Sequence, residues 1–579
     1  MTQKKHPSGE SSTPVNITLW ALLAGLMTGA AFTQLNAWLI WISFVPLFMC
    51  LGQQRPKTAF KAGLWFGVGL AACLFWWMIP GVQHFTGSKA GLGYGLIAFF
   101  VSCSLLSLYF GLIMWWYPGL TCPVKSNRTA QIPKETKAYK SAKSGKYAKA
   151  LPLAMLMPAL TLACIFTVAE FLLGWLTSGL PWLHLRVGLP LSTSFVLIQP
   201  VSLFGASILS FVVIFVNALF AFIIRAKAWK LLWIPVCVAL LYAVSGYLLQ
   251  NNFRRELGRD VGRDFGKDRL IEKQTGNNKG SNTGNNKGKN FTLAIVSENI
   301  APQLKWDSIG GNQLAERLLG LSRQLNALAS KPVMALWSES AIAWTYQKDD
   351  DLVRAILQNT RPAGITHLLG INTATLRSDV VYNSLYELDP DGGVISRYDK
   401  QVLLGLIEKP IGNLLIPFLS SAGFTALPGP DGGTLPTAYG KAGVLICNES
   451  TNSTLARKAL HKGATFLLSP GNDGWFMNTY LTDLHFYNAR LRAVETRKDI
   501  AINSNMGYCG LIQASGKIQC KQKSGQPVIY SVQIQPNNLV PFGVKYPHVL
   551  LISCTLFLVW EIIYRYFHWR QVSTTEPSK

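Results

Sequence analysis

Residues 203–224 read LFGASILSFVVIFVNALFAFII, a run without a single charged side chain. A helix of roughly 20 apolar residues spans the hydrocarbon core of a bilayer, so this run predicts a transmembrane helix. Other apolar runs precede and follow it, and together they predict a polytopic α-helical membrane protein with eight spans. The predicted spans cover residues 17–35, 37–52, 58–79, 90–117, 152–177, 203–224, 231–250 and 549–564, of which 37–52 is short.

The composition of the whole chain supports a membrane protein. Apolar residues make up 49% of the 579 residues and charged residues only 14%, against roughly 25% charged residues in an average soluble domain. This balance excludes a disordered, collagen-like or fully soluble chain, and the length predicts several domains. The ten cysteines lack regular spacing and form no CxxC pair, so they indicate neither a disulfide framework nor a zinc site.

The positions of the basic residues predict the topology. The net charge of +25 is by itself also typical of nucleic-acid-binding proteins. If eight helices alternate, nineteen Lys and Arg residues fall on one side, eight of them in the loop 118–150, whereas the short loops of the other side hold only Lys89 and Arg186. The positive-inside rule then places both termini in the cytoplasm and residues 251–546 outside. We therefore expect the basic loop to meet anionic lipid headgroups, and nucleic-acid binding becomes a weak alternative.

The segment between the last two spans divides into a linker and a domain. Residues 251–289 are polar and contain TGNNKG twice, and no core can be built from such a composition. We therefore predict a membrane domain at 1–250, a low-complexity linker at 251–289, a globular domain at 290–546, and an eighth span with a cytoplasmic tail at 547–579.

Apolar runs and helical stretches alternate in the globular domain. Helices are expected at 313–330 and 481–497, and a hairpin turn at 389–393 (DPDGG). The alternation predicts an α/β fold with reactive groups at the C-terminal ends of its strands. The predicted strands are 291–296 (FTLAIV), 333–337 (VMALW), 366–371 (THLLGI), 443–447 (GVLIC) and 464–469 (ATFLLS).

Three polar residues stand at the ends of predicted strands. Glu339 follows VMALW, Lys400 ends the hairpin strand, and Cys447 ends GVLIC. Taken singly, each has an ordinary interpretation as a cap, a surface lysine or a core cysteine. Together they fit one chemistry, since a base that takes the proton of a thiol makes it a strong nucleophile. A fixed cation or a backbone amide then stabilises the oxyanion that forms.

In this order, Glu339, Lys400 and Cys447 resemble the Glu-Lys-Cys triad of the nitrilase, or carbon-nitrogen hydrolase, superfamily. Over nearly its full length the chain resembles the bacterial apolipoprotein N-acyltransferases. Further stretches similar to that family are GWLTSGLPW at 174–182, NDGWF at 472–476, and HF…AR…RA…E at 485–495. The resemblance implies an eight-helix membrane domain joined to an extramembrane nitrilase-like α-β-β-α sandwich.

The resemblance also implies a reaction. Cys447 attacks a membrane phospholipid and forms a thioester, and the amino group of a diacylglyceryl-modified N-terminal cysteine on an apolipoprotein then takes the acyl chain. Glu339 acts as general base, while Lys400 and a backbone amide hold the oxyanion. No metal or soluble cofactor is required. The implied location is the bacterial inner membrane, with the catalytic domain on the periplasmic side.

Several supporting residues come from the same resemblance. Glu408 and Glu449 match family carboxylates near the active site, either for chemistry or for orienting Lys400 and a loop. Asn448 stands where the family has Tyr, and the residues before Glu408 are Gly-Leu-Ile instead of Pro-Phe-Gly. These departures concern the positioning of the substrate.

Two aromatic residues suit a lipid entrance. Trp475 and Phe476 follow a predicted strand, and we expect an exposed apolar tip that dips into the bilayer interface, where Trp is favoured. The alternative is a packed turn.

Other functions stay open at this point. One alternative is a membrane-tethered amidase of the nitrilase type, because water can open the same thioester. Another is a transporter or an inactive binding protein. Isolated charges within a membrane typically mark a transport path, but Glu170 is the only carboxylate in the first seven spans.

Overall fold

The structure of the protein is a computed structural model of the 579-residue chain. It describes residues 16–51, 55–86, 90–121, 151–274, 286, 288–301, 310–405, 407–409, 425–430, 433–476 and 479–574. Most of the basic loop, residues 122–150, and residues 275–285 of the predicted linker lie outside the described residues.

Fifteen α-helices lie in the described part of the chain. Six helices there are long and apolar enough to cross a membrane, and Ile17–Thr33 is a shorter apolar helix. Gly205, with a φ of 74°, separates two helices within the predicted sixth span because its left-handed backbone suits glycine. The helices are α1 Ile17–Thr33, α2 Val45–Met49, α3 Pro56–Phe75, α4 Met78–Thr86, α5 Ala90–Thr121, α6 Leu151–Leu176, α7 Val201–Phe204, α8 Ser207–Arg225, α9 Trp233–Gln274, α10 Gly310–Asn326, α11 Asp351–Thr360, α12 Ser453–His461, α13 Leu481–Thr496, α14 Phe542–Lys545 and α15 Val549–Thr574.

The predicted span 37–52 is wrong as a continuous helix. It consists of a 3₁₀ turn, Leu39–Trp41, followed by the five residues of α2. The Asn217 side chain on α8 donates to the Ile40 carbonyl at 3.0 Å and accepts from the Phe44 N–H at 2.9 Å. Irregular backbone at membrane depth needs such partners because no water is present there. Hydropathy detects the apolar run but not the break.

The predicted linker is helical over its first part. α9 begins at Trp233 and continues to Gln274, so residues 251–274 extend a membrane helix where we expected a chain without regular structure. The TGNNKG repeats, on which the prediction of a linker rests, begin only at residue 275, after the end of this helix. The domain boundaries themselves stay a prediction.

Two β-sheets form the globular domain. An eight-stranded sheet has the order β14-β1-β2-β4-β5-β6, with β3 beside β4 and β7 beside β5, and a six-stranded sheet has the order β13-β12-β11-β10-β9-β8. The strands are β1 Phe291–Ser297, β2 Met334–Leu336, β3 Ile342–Thr345, β4 Thr366–Ala374, β5 Val380–Leu388, β6 Val394–Asp399, β7 Thr425–Ala426, β8 Thr434–Thr437, β9 Gly440–Val444, β10 Ala464–Asn472, β11 Ile500–Asn505, β12 Tyr508–Ile512, β13 Ile518–Lys523 and β14 Val528–Ile534.

The sheets pack into a four-layer α-β-β-α sandwich, as predicted. Between the sheets, residues such as Leu336 of β2 and Leu468 of β10 share one buried apolar core. α10 and α11 cover the first sheet through a second core that includes Leu318. α12 and α13 cover the second sheet through a third that includes Ala489.

Parallel pairing brings several strand ends to one edge of the sandwich. β1, β2 and β4 are parallel, and β9, β10 and β11 are parallel in the other sheet. β6 runs in the same direction as β4, since both are antiparallel to β5. Residues that directly follow β2, β6, β9 and β10 therefore meet at this edge.

Hydrogen bonds fasten the globular domain to the membrane domain. The Arg490 side chain donates to the carbonyls of Ser192 and Thr193, both at 2.8 Å. The Arg497 side chain donates to the Gln199 side chain at 2.8 Å. Both arginines are buried, so these bonds fix the orientation of α13 on the segment between α6 and α7.

Candidate active site

Cys447 lies at a sharp turn after β9. It begins a 3₁₀ helix, Cys447–Thr451, and its φ of +52° is left-handed, a conformation that is uncommon for non-glycine residues and marks a constrained position. The side chain is 6% exposed.

Glu339 and Lys400 are in direct contact. The Lys400 ammonium donates to Glu339 Oε1 at 2.9 Å, and Lys400 is fully buried. The turn that carries Glu339 packs closely on β4, where a Cβ on Gly370 would lie 2.0 Å from the Ser338 carbonyl oxygen. Glycine at this position therefore allows the turn to reach the edge of the sheet.

A second carboxylate shares the same cation. Lys400 donates to Glu408 Oε1 at 3.0 Å. The Asn383 amide donates to both carboxylates, at 2.8 Å to Glu339 and 3.1 Å to Glu408. The Leu404 N–H donates to Glu408 at 2.7 Å. Glu408 therefore contacts both Lys400 and the loop after β6.

The charges around Cys447 define its resting state. Burial alone lowers the pKa of Lys400, but the charges of Glu339 and Glu408 outweigh it and hold that pKa well above its ordinary value. Burial raises the pKa of the Cys447 thiol well above its ordinary value, Glu339 adds to this effect, and Lys400 opposes it. Burial therefore favours the protonated form of the thiol.

Glu449 holds two loops together. It accepts hydrogen bonds from the backbone N–H groups of Ile446, Gln401 and Val402 at 2.7 to 3.0 Å, and from the Tyr398 hydroxyl at 2.9 Å. These contacts join the end of β6 to the turn of Cys447. Glu449 therefore links the loop after β6 to the turn of Cys447.

Asn448 also binds the loop after β6. Its amide donates to the Val402 carbonyl at 3.0 Å. Its side-chain oxygen is buried and has no hydrogen-bond partner among the described residues. The residue therefore lies beside the candidate nucleophile with one acceptor still available.

A histidine and an aspartate that we did not predict as site residues lie at the same turn. His485 of α13 contacts Asp473 Oδ1 at 2.7 Å through Nδ1, and the Cys447 carbonyl oxygen at 2.8 Å through Nε2. Both residues belong to stretches of the family resemblance, but nothing in their spacing assigns them a partner. Asp473 follows the end of β10 and His485 lies near the start of α13, so the contact between them can be recognised only once the fold is known.

An apolar cavity of about 80 Å³ reaches Cys447. Its walls come from both domains, with Phe32 and Leu74 from the membrane helices and Leu404 and Leu484 from the globular domain. The cavity thus offers a mostly apolar space beside the thiol.

Phe476 is half-buried and also lines this cavity. Its ring packs edge-on against Trp77, with 5.9 Å between ring centroids. The expected exposed tip is therefore wrong for Phe476, because the adjacent membrane helices cover it. The side chain of Trp475 lies outside the described residues.

Comparisons with known proteins agree with this two-part architecture. Residues 24–219 match the apolipoprotein N-acyltransferase N-terminal domain, and residues 324–540 match the carbon-nitrogen hydrolase domain. An apolipoprotein N-acyltransferase of Geobacter metallireducens is 24% identical, covering 93% of this chain and 92% of its own length. One from Pseudomonas putida is 24% identical and covers 94% and 96%. Over nearly its full length the chain is similar to apolipoprotein N-acyltransferases.

Solved structures are similar to less than half of this chain. Nit3 of Saccharomyces cerevisiae, a member of branch 10 of the nitrilase superfamily, is 19% identical with a TM-score of 0.35, covering 45% of this chain and 93% of its own. An amidase from Nesterenkonia sp. is 16% identical with a TM-score of 0.33, covering 46% and 97%.

The departures from the apolipoprotein N-acyltransferase pattern lie in one loop region. Asn448 contacts the Val402 carbonyl, so an amide occupies the position where the family has an aromatic ring. Gly405 donates its N–H to the Gly179 carbonyl at 2.7 Å, which ties the loop before Glu408 to the membrane domain. Leu406 lies outside the described residues.

Proposed function

We propose that this protein transfers an acyl chain from a membrane phospholipid to the α-amino group of the N-terminal diacylglyceryl-cysteine of apolipoproteins. The observation that carries the proposal is the apolar cavity beside Cys447, whose walls come from both domains. An acyl chain suits such a cavity, whereas a small soluble amide requires no wall made of membrane helices. The names of the full-length relatives support the same acceptor.

In the first step, Glu339 takes the proton of the Cys447 thiol, and the sulfur attacks the ester carbonyl carbon of the phospholipid. Lys400 and the backbone N–H groups of the Cys447 turn stabilise the negative charge on the carbonyl oxygen. The ester bond breaks, Glu339 returns the proton to the departing alkoxide, and a lysophospholipid leaves. The raised pKa of the thiol supports a base-assisted attack over a preformed thiolate.

In the second step, the amine of the apolipoprotein attacks the thioester carbonyl. Glu339 takes a proton from the amine, the carbon–sulfur bond breaks, and the proton passes to the Cys447 thiolate. The products are an amide and the free enzyme, so the two substrates react in turn. A buried acyl-enzyme suits this order because the apolar walls keep water away from the thioester.

We place the protein in the bacterial inner membrane, with the globular domain on the periplasmic side and both termini in the cytoplasm. The asymmetry of basic residues supports this orientation. Six helices in the described part of the chain are long and apolar enough to cross a membrane, which supports an integral membrane location.

The proposal is tested by mass spectrometry of a model lipoprotein N-terminus, from cells that contain this protein as their only candidate N-acyltransferase. We expect an N-terminal amide-linked acyl chain with the natural protein and none with Cys447→Ala. A lipoprotein that lacks the third acyl chain in both strains contradicts the proposal.

A further inference from the structure

One buried carboxyl group at the site edge has no part in the proposed chemistry. Glu298 directly follows β1, and its side chain is fully buried. Because β1 is parallel to β2, Glu298 lies at the same edge of the sheet as Glu339. Acidic side chains are almost never fully buried unless they are paired, so the partner of Glu298 is informative.

That partner is a backbone group of the turn that carries Glu339. The Ser338 N–H donates to Glu298 Oε1 at 3.0 Å. The preceding N–H, that of Trp337, donates to the Leu368 carbonyl of β4 at 2.9 Å. Successive N–H groups of a strand alternate between its two neighbours, so the Ser338 N–H faces β1.

The side chain of Glu298 takes the place of a backbone acceptor of β1. The pairing of β1 with β2 ends with Ile295 beside Leu336. There the Asn503 amide, from the other sheet, donates to the Val296 carbonyl at 2.7 Å and to the Leu336 carbonyl at 2.9 Å. The bond from Glu298 therefore extends the connection between the two chains beyond the end of the paired strands.

The opposite side of the same turn is held by β4. A Cβ on Gly370 would lie 2.0 Å from the Ser338 carbonyl oxygen and 2.8 Å from the Ser340 nitrogen, so strand and turn are in close contact. Ser340 has a left-handed φ of 52°, which the surrounding contacts must hold. Glu339 stands between these two serines, so both restraints act on the residue that contacts Lys400.

The second oxygen of Glu298 has no such contact. Oε2 is buried without a hydrogen-bond partner among the described residues, and an unpaired buried acceptor destabilises a fold. Burial raises the pKa of Glu298 to about 7, while hydrogen bonds from Ser338 oppose this shift. The neutral carboxyl group keeps its carbonyl oxygen as an acceptor. The contact with the Ser338 N–H therefore does not depend on the charge.

We propose that Glu298 is a positioning residue, which holds the base Glu339 in place through its hydrogen bond to the Ser338 N–H. The inference rests on the proposed function, in which Glu339 takes a proton in both steps. Loss of this bond frees the turn on its β1 side and displaces the Glu339 carboxylate from the thiol of Cys447. A small displacement of a reacting group slows the chemical step and leaves substrate binding unchanged.

The test compares Glu298→Leu, which removes the acceptor at similar volume, with Glu298→Gln, which keeps a carbonyl oxygen. Single-turnover thioester formation is followed by intact-protein mass spectrometry on the full chain, in vesicles of varied phosphatidylglycerol content. We expect Glu298→Leu to lower the maximal rate about tenfold with an unchanged half-saturating lipid fraction, and Glu298→Gln to stay within about threefold of the natural rate.

Glu387→Leu is the matched control, because Glu387 is also a buried glutamate of this sheet. It is 2% exposed, and it accepts a hydrogen bond from the Ser396 hydroxyl near the start of β6. Its replacement is expected to leave the maximal rate near that of the natural protein. Thermal unfolding in detergent checks that each variant is folded.

The outcomes are distinct. An unchanged maximal rate in Glu298→Leu overturns the positioning role, and so do equal losses in the Leu and Gln variants, since Gln keeps the acceptor. Where Glu298→Leu does not fold, Glu298→Asp, whose shorter side chain withdraws the acceptor, is held to the same expected loss. Failure of the natural protein to form a thioester contradicts the proposed function instead.

Discussion

His485 binds the backbone of Cys447, since its Nε2 lies 2.8 Å from the Cys447 carbonyl oxygen. Its Nδ1 faces the Asp473 carboxylate at 2.7 Å. Both partners are acceptors, and an imidazolium ring can donate to both of them at once. Burial alone lowers the pKa of His485, but the charge of Asp473 and the two hydrogen bonds raise it overall. In its charged form the histidine therefore bonds both the Asp473 carboxylate and the left-handed turn of Cys447.

Replacing this histidine is expected to misplace the sulfur. His485→Gln keeps a donor for one partner but removes the charge, and we expect about a tenfold fall in kcat with KM nearly unchanged. Single-turnover thioester formation over a range of pH measures it. If the imidazolium positions Cys447, the rate of thioester formation by the natural enzyme falls as pH rises through the pKa of His485. The pH profile of the Gln variant lacks this fall. An identical pH profile in both proteins rejects that role.

The same ion pair makes stability depend on pH. The folded-state pKa of His485 is raised above its unfolded value of about 6.5. Its contribution is therefore fully present below about pH 6.5 and is lost as pH rises through the folded pKa. We expect the difference in Tm between the natural protein and His485→Asn to shrink above that pKa, as measured by thermal unfolding in detergent. A difference that grows with pH contradicts the assignment.

Cys447→Ser is expected to lower acyl transfer by about a thousandfold or more, because a carboxylate deprotonates an alcohol poorly. The readout is the N-acylation of a synthetic lipopeptide. Cys520→Ser, in β13 and remote from the site edge, serves as the control and should retain activity. Full activity in Cys447→Ala removes the thioester from the mechanism.

Glu339→Gln keeps the shape of the side chain but loses the base. We expect no thioester on the time scale of the natural enzyme, and a smaller effect on lipid binding. Lys400→Arg keeps the charge but places a planar fork between two carboxylates 2.9 and 3.0 Å from the ammonium, so activity should also fall strongly. Glu316→Gln, exposed on α10, is the matched control for charge. Normal thioester formation in Glu339→Gln excludes Glu339 from the first step.

Phe476→Ala removes a ring that packs on Trp77 and lines the apolar cavity. Transfer from bilayer phospholipid is expected to slow severalfold, while cleavage of a short water-soluble acyl ester changes little, because only the long chain needs that wall. Rates on the two substrates are compared in one preparation. Equal losses on both would show that the ring supports the fold alone.

Hydropathy was sufficient for most of the membrane helices and for the buried strands. β1, β2, β4 and β10 are buried, so they appear in the sequence as apolar runs. β13 reads IQCKQK and has no buried residue, and such a strand leaves no apolar signature. The break between Leu39–Trp41 and α2 was also out of reach, since the single amide of Asn217 within an apolar run does not reveal which backbone it bonds.

The candidate triad was accessible from the sequence because its members follow strands whose ends share one edge. The residues around the triad could not be predicted in this way. Asn383, which contacts Glu339, and Asp473, which contacts His485, become informative only when these contacts are known. Glu408 and Glu449 were predicted from a resemblance, either for chemistry or for orientation, and each accepts hydrogen bonds from the backbone around the site.

The bonds of Arg490 to Ser192 and Thr193 have a kinetic consequence. These buried bonds hold the globular domain against the membrane domain. On the proposed function, the phospholipid donor therefore reaches the site only by lateral diffusion within the same bilayer. The reaction then follows surface dilution: its rate depends on the mole fraction of donor lipid in the vesicle and is insensitive to how many vesicles the solution contains.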